Sequence, residues 1–178
     1  MELMEVIGRR RSIRRFRPDP VEEEKLAAVL EAARLAPSWK NGQCWCFVVV
    51  RDGETRRKLA EAMPATNPGR GSLVQAPLAV VACVNPAASE EWEGRPYHFV
   101  DGAIALEHLV LAAASLGLGT CWLGMIYEDQ VRSVLGIPPS VRVLAMTPLG
   151  YPDEDPRPRR RKAAEEIAYF ERWGGRQG

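Results

Sequence analysis

The spacing of apolar residues changes several times along this chain, and each change marks an element. Leu3, Met4, Val6 and Ile7 stand among acids over residues 2–8, the pattern of a short amphipathic helix. Leu26, Val29, Leu30 and Ala33 recur at helical spacing and predict a second helix over 21–35. Pro18-Asp19-Pro20 introduces that helix, Glu22, Glu23 and Glu24 suit the positive end of its dipole, and Pro37 stops it. A strand is expected over 46–50. The Asp52-Gly53 turn then opens a short polar helix over 55–63, and residues 64–71, rich in Pro, Gly and Asn, read as a loop. The continuous apolar run 78–84 predicts a central strand buried on both faces. Residues 99–116 are apolar nearly all round, which predicts a helix wholly enclosed in the core or at a subunit interface. Strands over 120–123 and 141–149 bracket a helix over 128–135; a Pro- and Arg-rich stretch over 151–162 leads to a last helix over 163–173.

No repeat and no long linker divides this pattern, so residues 1–178 are expected to form a single domain. Composition excludes more than it adds. Hydrophobic residues at 46% and charged residues at 26% are ordinary globular values, and a net charge of +1 argues against a general polyanion-binding surface, hence against nucleic acid. The longest apolar stretch, 102–127, is interrupted by Glu107, His108, Gly117 and Gly119, so no membrane span is expected. No secretory signal precedes the first helix, and a cytoplasmic protein is expected. Cys44, Cys46, Cys83 and Cys121 then read as reduced, mostly buried thiols; Cys44-Trp45-Cys46 lacks zinc-knuckle spacing, and no metal site is expected.

Charge matters through its placement. Arginines cluster in Arg9-Arg10-Arg11-Ser12-Ile13-Arg14-Arg15-Phe16-Arg17 and again in Arg157-Pro158-Arg159-Arg160-Arg161-Lys162. A guanidinium fork matches phosphate oxygens two at a time, so each cluster could be half of a phosphate clamp, with Ser12 adding a donor. A solvated basic helix end would give the same residues at the first cluster. A second constellation, Ala36-Pro37-Ser38-Trp39-Lys40-Asn41-Gly42-Gln43, puts hydroxyls, amides and a large ring on one loop. It suits contact with a sugar alcohol or an aromatic ring, or else a helix end and turn. In Gly117-Leu118-Gly119-Thr120-Cys121-Trp122-Leu123-Gly124 the glycines follow a helix and enter a strand, the wrong order for a dinucleotide fingerprint. Gly117 reads as a helix C-cap and Gly124 as a place where backbone could approach a flat ligand. Glu107-His108 is taken as structural, since adjacent helical residues point apart.

In their order and spacing, Arg10-Arg11-Ser12-Ile13-Arg14, the segment 36–45, the segment 101–124 and the Arg-x-Arg at Arg159 and Arg161 together resemble the FMN-dependent nitroreductase family over nearly the whole chain. The resemblance implies an α+β fold with a central mixed sheet flanked by helices, an intertwined homodimer, and FMN at the dimer interface. It implies that Arg10, Arg11, Ser12 and Arg14 line the cofactor, with Arg10 on its phosphate and Arg14 at the pyrimidine edge. Arg159 and Arg161 would close on the same phosphate. Pro37, Ser38, Trp39 and Asn41 would come from the other subunit, Leu123 and Gly124 would border the flavin with the Gly124 amide at N5, and Asn67 is a candidate for its polar edge. Two departures stand out: Gln43-Cys44-Trp45 where Gln-Pro-Trp is common, and Leu123 where some members carry Glu.

The implied activity is transfer of hydride from NADH or NADPH, through FMN, to an electron-poor acceptor such as a nitroaromatic or quinone. The flavin carries the redox chemistry and no catalytic side chain is expected, Arg14 tuning the cofactor by its charge. A non-catalytic flavin-binding sensor or storage module, or a reductive dehalogenase or dehydrogenase of one metabolite, would use the same residues.

Overall fold

The computed structural model describes residues 2–176. Helices α1 (Leu3–Arg9) and α2 (Glu23–Arg34) precede strand β1 (Trp45–Val50), helices α3 (Gly53–Glu61) and α4 (Arg70–Gln75), and strand β2 (Leu78–Val84). A small hairpin of β3 (Glu91–Trp92) and β4 (Arg95–Pro96) leads into α5 (Tyr97–Ser115), followed by β5 (Gly119–Thr120), α6 (Glu128–Leu135) and β6 (Arg142–Gly150). The main sheet has the order β1-β2-β6-β5, with every named pair antiparallel. Among the described residues its parallel component is a single bridge between Ser12 and Thr120. The fold is α+β, as expected, but the mixed character of the sheet reduces to that bridge.

All seven residues of β2 are buried, and their alternation divides the interior in two. Val80 and Ala82 face a core with Leu26, Val29 and Ala33 of α2 and Leu106, Leu109 and Val110 of α5. Ala79, Val81 and Cys83 face the opposite core, with Leu59 of α3, Leu73 of α4 and Val131 of α6. Burying each such Leu or Val side chain contributes about 1.5–3 kcal/mol, so the sheet is fixed from both sides. Local signals set the helix ends. The Asp52 carboxylate accepts the Thr55 amide at 2.7 Å to cap α3, and Gly117 and Gly136 adopt φ of 77° and 66° where α5 and α6 stop.

Two expectations are corrected. Residues 70–75 are helical rather than continuing a loop, because Leu73 packs into the second core and Arg56 donates through Nη1 to the carbonyls of Leu73, Val74 and Ala76. Helix α5 buries Ala105, Leu106, Leu109 and Val110 in the core, while Ala103, Ile104 and Leu111 are half-buried and Val100 is exposed within this chain. The last helix contracts to one 3-10 turn at Ala164–Glu166, with side chains from 161 to 174 exposed. Without a neighbour to bury an apolar face, a segment this short cannot sustain helix on propensity alone. Among the described residues no helix is long and apolar enough to cross a membrane, and no group of three or more metal-ligating side chains forms.

Candidate functional site

The two arginine clusters, about 140 residues apart in the chain, meet in one cleft. The segment after α1 runs extended between the end of β5 and the chain leaving β6. The Ile13 amide donates to the Thr120 carbonyl at 2.8 Å, the Arg17 amide to the Tyr151 carbonyl at 2.9 Å, and the Asp153 amide to the Arg15 carbonyl at 3.0 Å. The Glu154 carboxylate accepts the backbone amides of both Arg14 and Arg15. Ile13 and Phe16 turn inward, both 6% exposed; of the two arginines between them, Arg15 is exposed and Arg14 half-buried. Glu154 is a positioning residue that composition and spacing did not mark.

The resulting cavity has a volume of about 730 Å³ and is lined by Arg10, Arg11, Ser12, Arg14, Arg157, Arg159 and Arg161. Carboxylates answer the flanking cations: Glu5 pairs with Arg9, Glu154 with Arg15 and Asp19 with Arg17. Inside the cleft the pairing differs. Arg10 Nε lies 3.8 Å from Glu107 of α5, a long contact that gives Glu107 a place beside the site. Its neighbour His108 points elsewhere, with Nδ1 3.3 Å from the Ala32 carbonyl. Arg11 donates to the Gly8 and Arg10 carbonyls at 2.8 Å, and Arg161 to the Arg159 carbonyl at 3.4 Å. Among the described residues no carboxylate is in ion-pair range of Arg11, Arg14, Arg157, Arg159 or Arg161, and the buried Arg14 Nε has no hydrogen-bond partner. Uncompensated guanidinium groups around a concave surface make an anion site.

The remaining candidates fall in two places. From Thr120 the chain passes through Cys121, whose thiol is raised by burial while Arg14 and Ser12 pull it the other way, to Leu123 and Gly124. The Leu123 side chain is buried and its backbone exchanges hydrogen bonds with Met146 at 2.9 and 3.0 Å, so Leu123 holds the chain without offering a free polar atom. Gly124 is exposed, with open space where a side chain would project. A β-carbon on Gly69 would stand 2.4 Å from Leu123 Cδ2 and 3.3 Å from Asn67 Oδ1, which places Asn67 beside this segment. Asn67 uses Oδ1 to accept the Gly69 amide at 2.8 Å and lines a shallow depression with Arg57 and Arg70. Arg70 went unmarked in the sequence because it begins a helix that the glycines and prolines around it disguise.

Pro37, Ser38, Trp39 and Asn41 line no part of the arginine cleft of their own chain. Ser38 Oγ accepts the Gln43 amide at 3.0 Å, the Trp39 amide donates to Asp101 Oδ1 at 3.0 Å, and the Trp39 ring lies 4.1 Å from that of Tyr97.

The sequence matches the Nitroreductase family over residues 7–71 and 64–151. The chain belongs to this family. A nitroreductase family protein from Clostridium novyi is 35% identical and superposes with a TM-score of 0.84, over 98% of this chain and 96% of that one. An FMN-dependent nitroreductase from Clostridium difficile is 30% identical with a TM-score of 0.83, over 95% of this chain and 99% of that one. A relative from Archaeoglobus fulgidus, provisionally named NADH dehydrogenase/NAD(P)H nitroreductase, is 36% identical over 160 residues, covering 86% of this chain and 87% of its own. This nitroreductase-family chain is therefore an enzyme; the family match includes the first arginine cluster and ends before the second.

Proposed function

We propose that the cleft holds the phosphate of FMN and that the chain transfers hydride from NADH or NADPH to an electron-poor acceptor such as a nitroaromatic or quinone. The observation that carries this reading is the ring of guanidinium groups, of which only Arg10 has a carboxylate in ion-pair range among the described residues, and that at 3.8 Å; it suits a dianionic phosphomonoester. The residues fit the group. Arg10, Arg11, Ser12, Arg159 and Arg161 supply donors at one end, the unpartnered Arg14 Nε lies further in, and the open backbone at Gly124 leaves room for a flat ring. Bound FMN would supply the hydride chemistry. Arg14 would place positive charge near the pyrimidine edge and favour the reduced cofactor. The Gly124 amide would face N5, and Asn67 would face the polar edge.

The same reading makes the enzyme a single-domain, cytoplasmic homodimer, with Pro37, Ser38, Trp39 and Asn41 reaching the flavin of the partner subunit. Leu3, Met4 and Ile7 on α1, Val100 on α5, and Ile167, Phe170 and Trp173 in the tail are exposed apolar side chains that a second subunit would cover. Purified protein should show flavin bands near about 370 and 450 nm that bleach when NADH or NADPH is added without oxygen. Protein that stays colourless and takes up no added FMN refutes the assignment. Bands that persist favour a binding module.

A further inference from the structure

The geometry points to Asp101 as the positioning residue for the 36–44 loop, acting through a buried cluster with Ser89 and Cys44 to set how that loop meets the flavin. The inference rests on the FMN reading above, and concerns a residue that touches no ligand. Asp101 lies near the start of α5 and is 2% exposed. Its Oδ1 accepts the Trp39 amide at 3.0 Å, and its Oδ2 accepts Ser89 Oγ at 3.2 Å and faces Cys44 Sγ at 3.9 Å. One carboxylate thus joins the beginning of the 36–44 loop, its end, and the segment after β2. A buried carboxylate is costly unless hydrogen-bonded, and these contacts meet that need.

The loop needs such a tie. Lys40, Asn41 and Gln43 all hold left-handed backbone conformations, with φ of 48°, 58° and 47°, which residues other than glycine rarely adopt. Strained conformations persist when their surroundings over-determine them. Glu90 adds a second tie, accepting Trp39 Nε1 at 3.3 Å and Lys40 Nζ at 2.8 Å. The two segments touch through backbone as well, since a β-carbon on Gly42 would stand 2.2 Å from the Ala88 carbonyl oxygen. Glu90 is exposed and its ties are open to solvent; Asp101 is enclosed, so its ties are the ones that fix position.

Cys44 joins the arrangement through its thiol. It stands where the resembling pattern carries proline, and proline has no side-chain donor. Burial, with the charge of Asp101 adding to it, pushes the Cys44 thiol up to about 11, so it stays protonated, with its one hydrogen divided between the His98 carbonyl at 3.6 Å and Asp101 Oδ2 at 3.9 Å. The loop rigidity that a proline ring would supply through φ is supplied here by a thiol anchored to a buried acid.

The test compares Asp101→Ala, Asp101→Asn and Cys44→Ala with wild type. It reads FMN affinity by quenching of flavin fluorescence, exchange of the Trp39 amide hydrogen, and the split between KM and kcat with a quinone acceptor. Asp101→Ala should raise the FMN Kd about tenfold or more, the loss of one charge-assisted hydrogen bond. It should also speed Trp39 exchange at least about tenfold and raise KM for the quinone more than it lowers kcat. Asp101→Asn keeps an acceptor for Trp39 and should recover most of the loss; Cys44→Ala should loosen FMN about threefold. Folded Asp101→Ala with wild-type Kd and wild-type Trp39 exchange would overturn the proposal. If that variant does not fold, an FMN Kd and Trp39 exchange unchanged in Cys44→Ala and in Ser89→Ala would overturn it equally. Wild-type protein that binds no FMN defeats the functional reading instead, a result separate from these.

Discussion

Replacing Arg10 with Ala tests whether the cleft reads phosphate. Arg10 has its side chain 25% exposed, and its one acidic neighbour, Glu107, is at 3.8 Å. A hydrogen bond to a charged group contributes about 1.5–3 kcal/mol, and 1.4 kcal/mol is about tenfold in affinity, so the FMN Kd should rise about 10- to 150-fold. Removing Arg10 also leaves the Glu107 carboxylate facing the phosphate unanswered, which moves the expectation toward the upper part of that range. Arg161 is exposed, so Arg161→Ala should cost nearer the lower end. Titrations of apoprotein with FMN and with riboflavin, which lacks the phosphate, separate the clamp from ring binding. Wild type should prefer FMN strongly; each variant should narrow that preference while binding riboflavin as before. Because both arginines hold one group, the double variant should depart from additivity by at least about 0.5 kcal/mol. Equal losses for FMN and riboflavin would refute a phosphate clamp, and additive losses would refute a shared ligand.

Three further outcomes follow from the geometry. Arg14→Ala should lower the midpoint potential of bound flavin by about 30 mV or more, the two-electron equivalent of about 1.4 kcal/mol, in spectroelectrochemical titration. Gly150→Ala would drive a β-carbon to 2.5 Å from Pro77 Cδ, an atom in a rigid ring, and should cost about 1–3 kcal/mol in urea unfolding. Burial pushes Cys44 up to about 11 and Cys83 up to about 12 from an ordinary thiol value of 9.0. The folded chain therefore keeps protons that the unfolded chain releases, so the stabilisation is complete below about pH 9 and is lost as pH rises through those values. Equilibrium unfolding between pH 8 and 11 should show this decline, and Cys83→Ala should flatten it.

Elements with self-sufficient signals were legible in the sequence. Leu78–Val84 is a strand at the expected bounds because a run of seven apolar residues has no other use than a doubly covered strand. Glu128–Leu135 is equally clear, with acids in its first turn and Gly136 in the left-handed region at its end. The arginine clusters were legible as candidate halves of one site, although a solvated helix end reads the same way in sequence, and only the fold shows that the two meet. Contacts across the fold were hidden. Nothing near Glu154 in the chain announces that it receives the Arg14 and Arg15 amides, and Asp101 reads as an ordinary polar residue in an apolar helix until Trp39 is folded against it. Helix α4 was concealed because its stop and its anchor, the Arg56 guanidinium, come from another helix. The tail failed in the opposite sense: its composition suits a helix, and no face of the domain covers it.

The stitching of residues 12–17 to residues 151–154 has a consequence for the order in which the chain is made. Synthesis exposes the first arginine group at once, while the second, along with Tyr151 and Glu154 that hold the first in place, emerges more than a hundred residues later. Until then the early arginines lack both their anchor and their counterpart, and no enclosed anion site exists on the ribosome. On the FMN reading, cofactor capture waits until residues 151–161 have been made, and a chain terminated before them lacks the second half of the clamp.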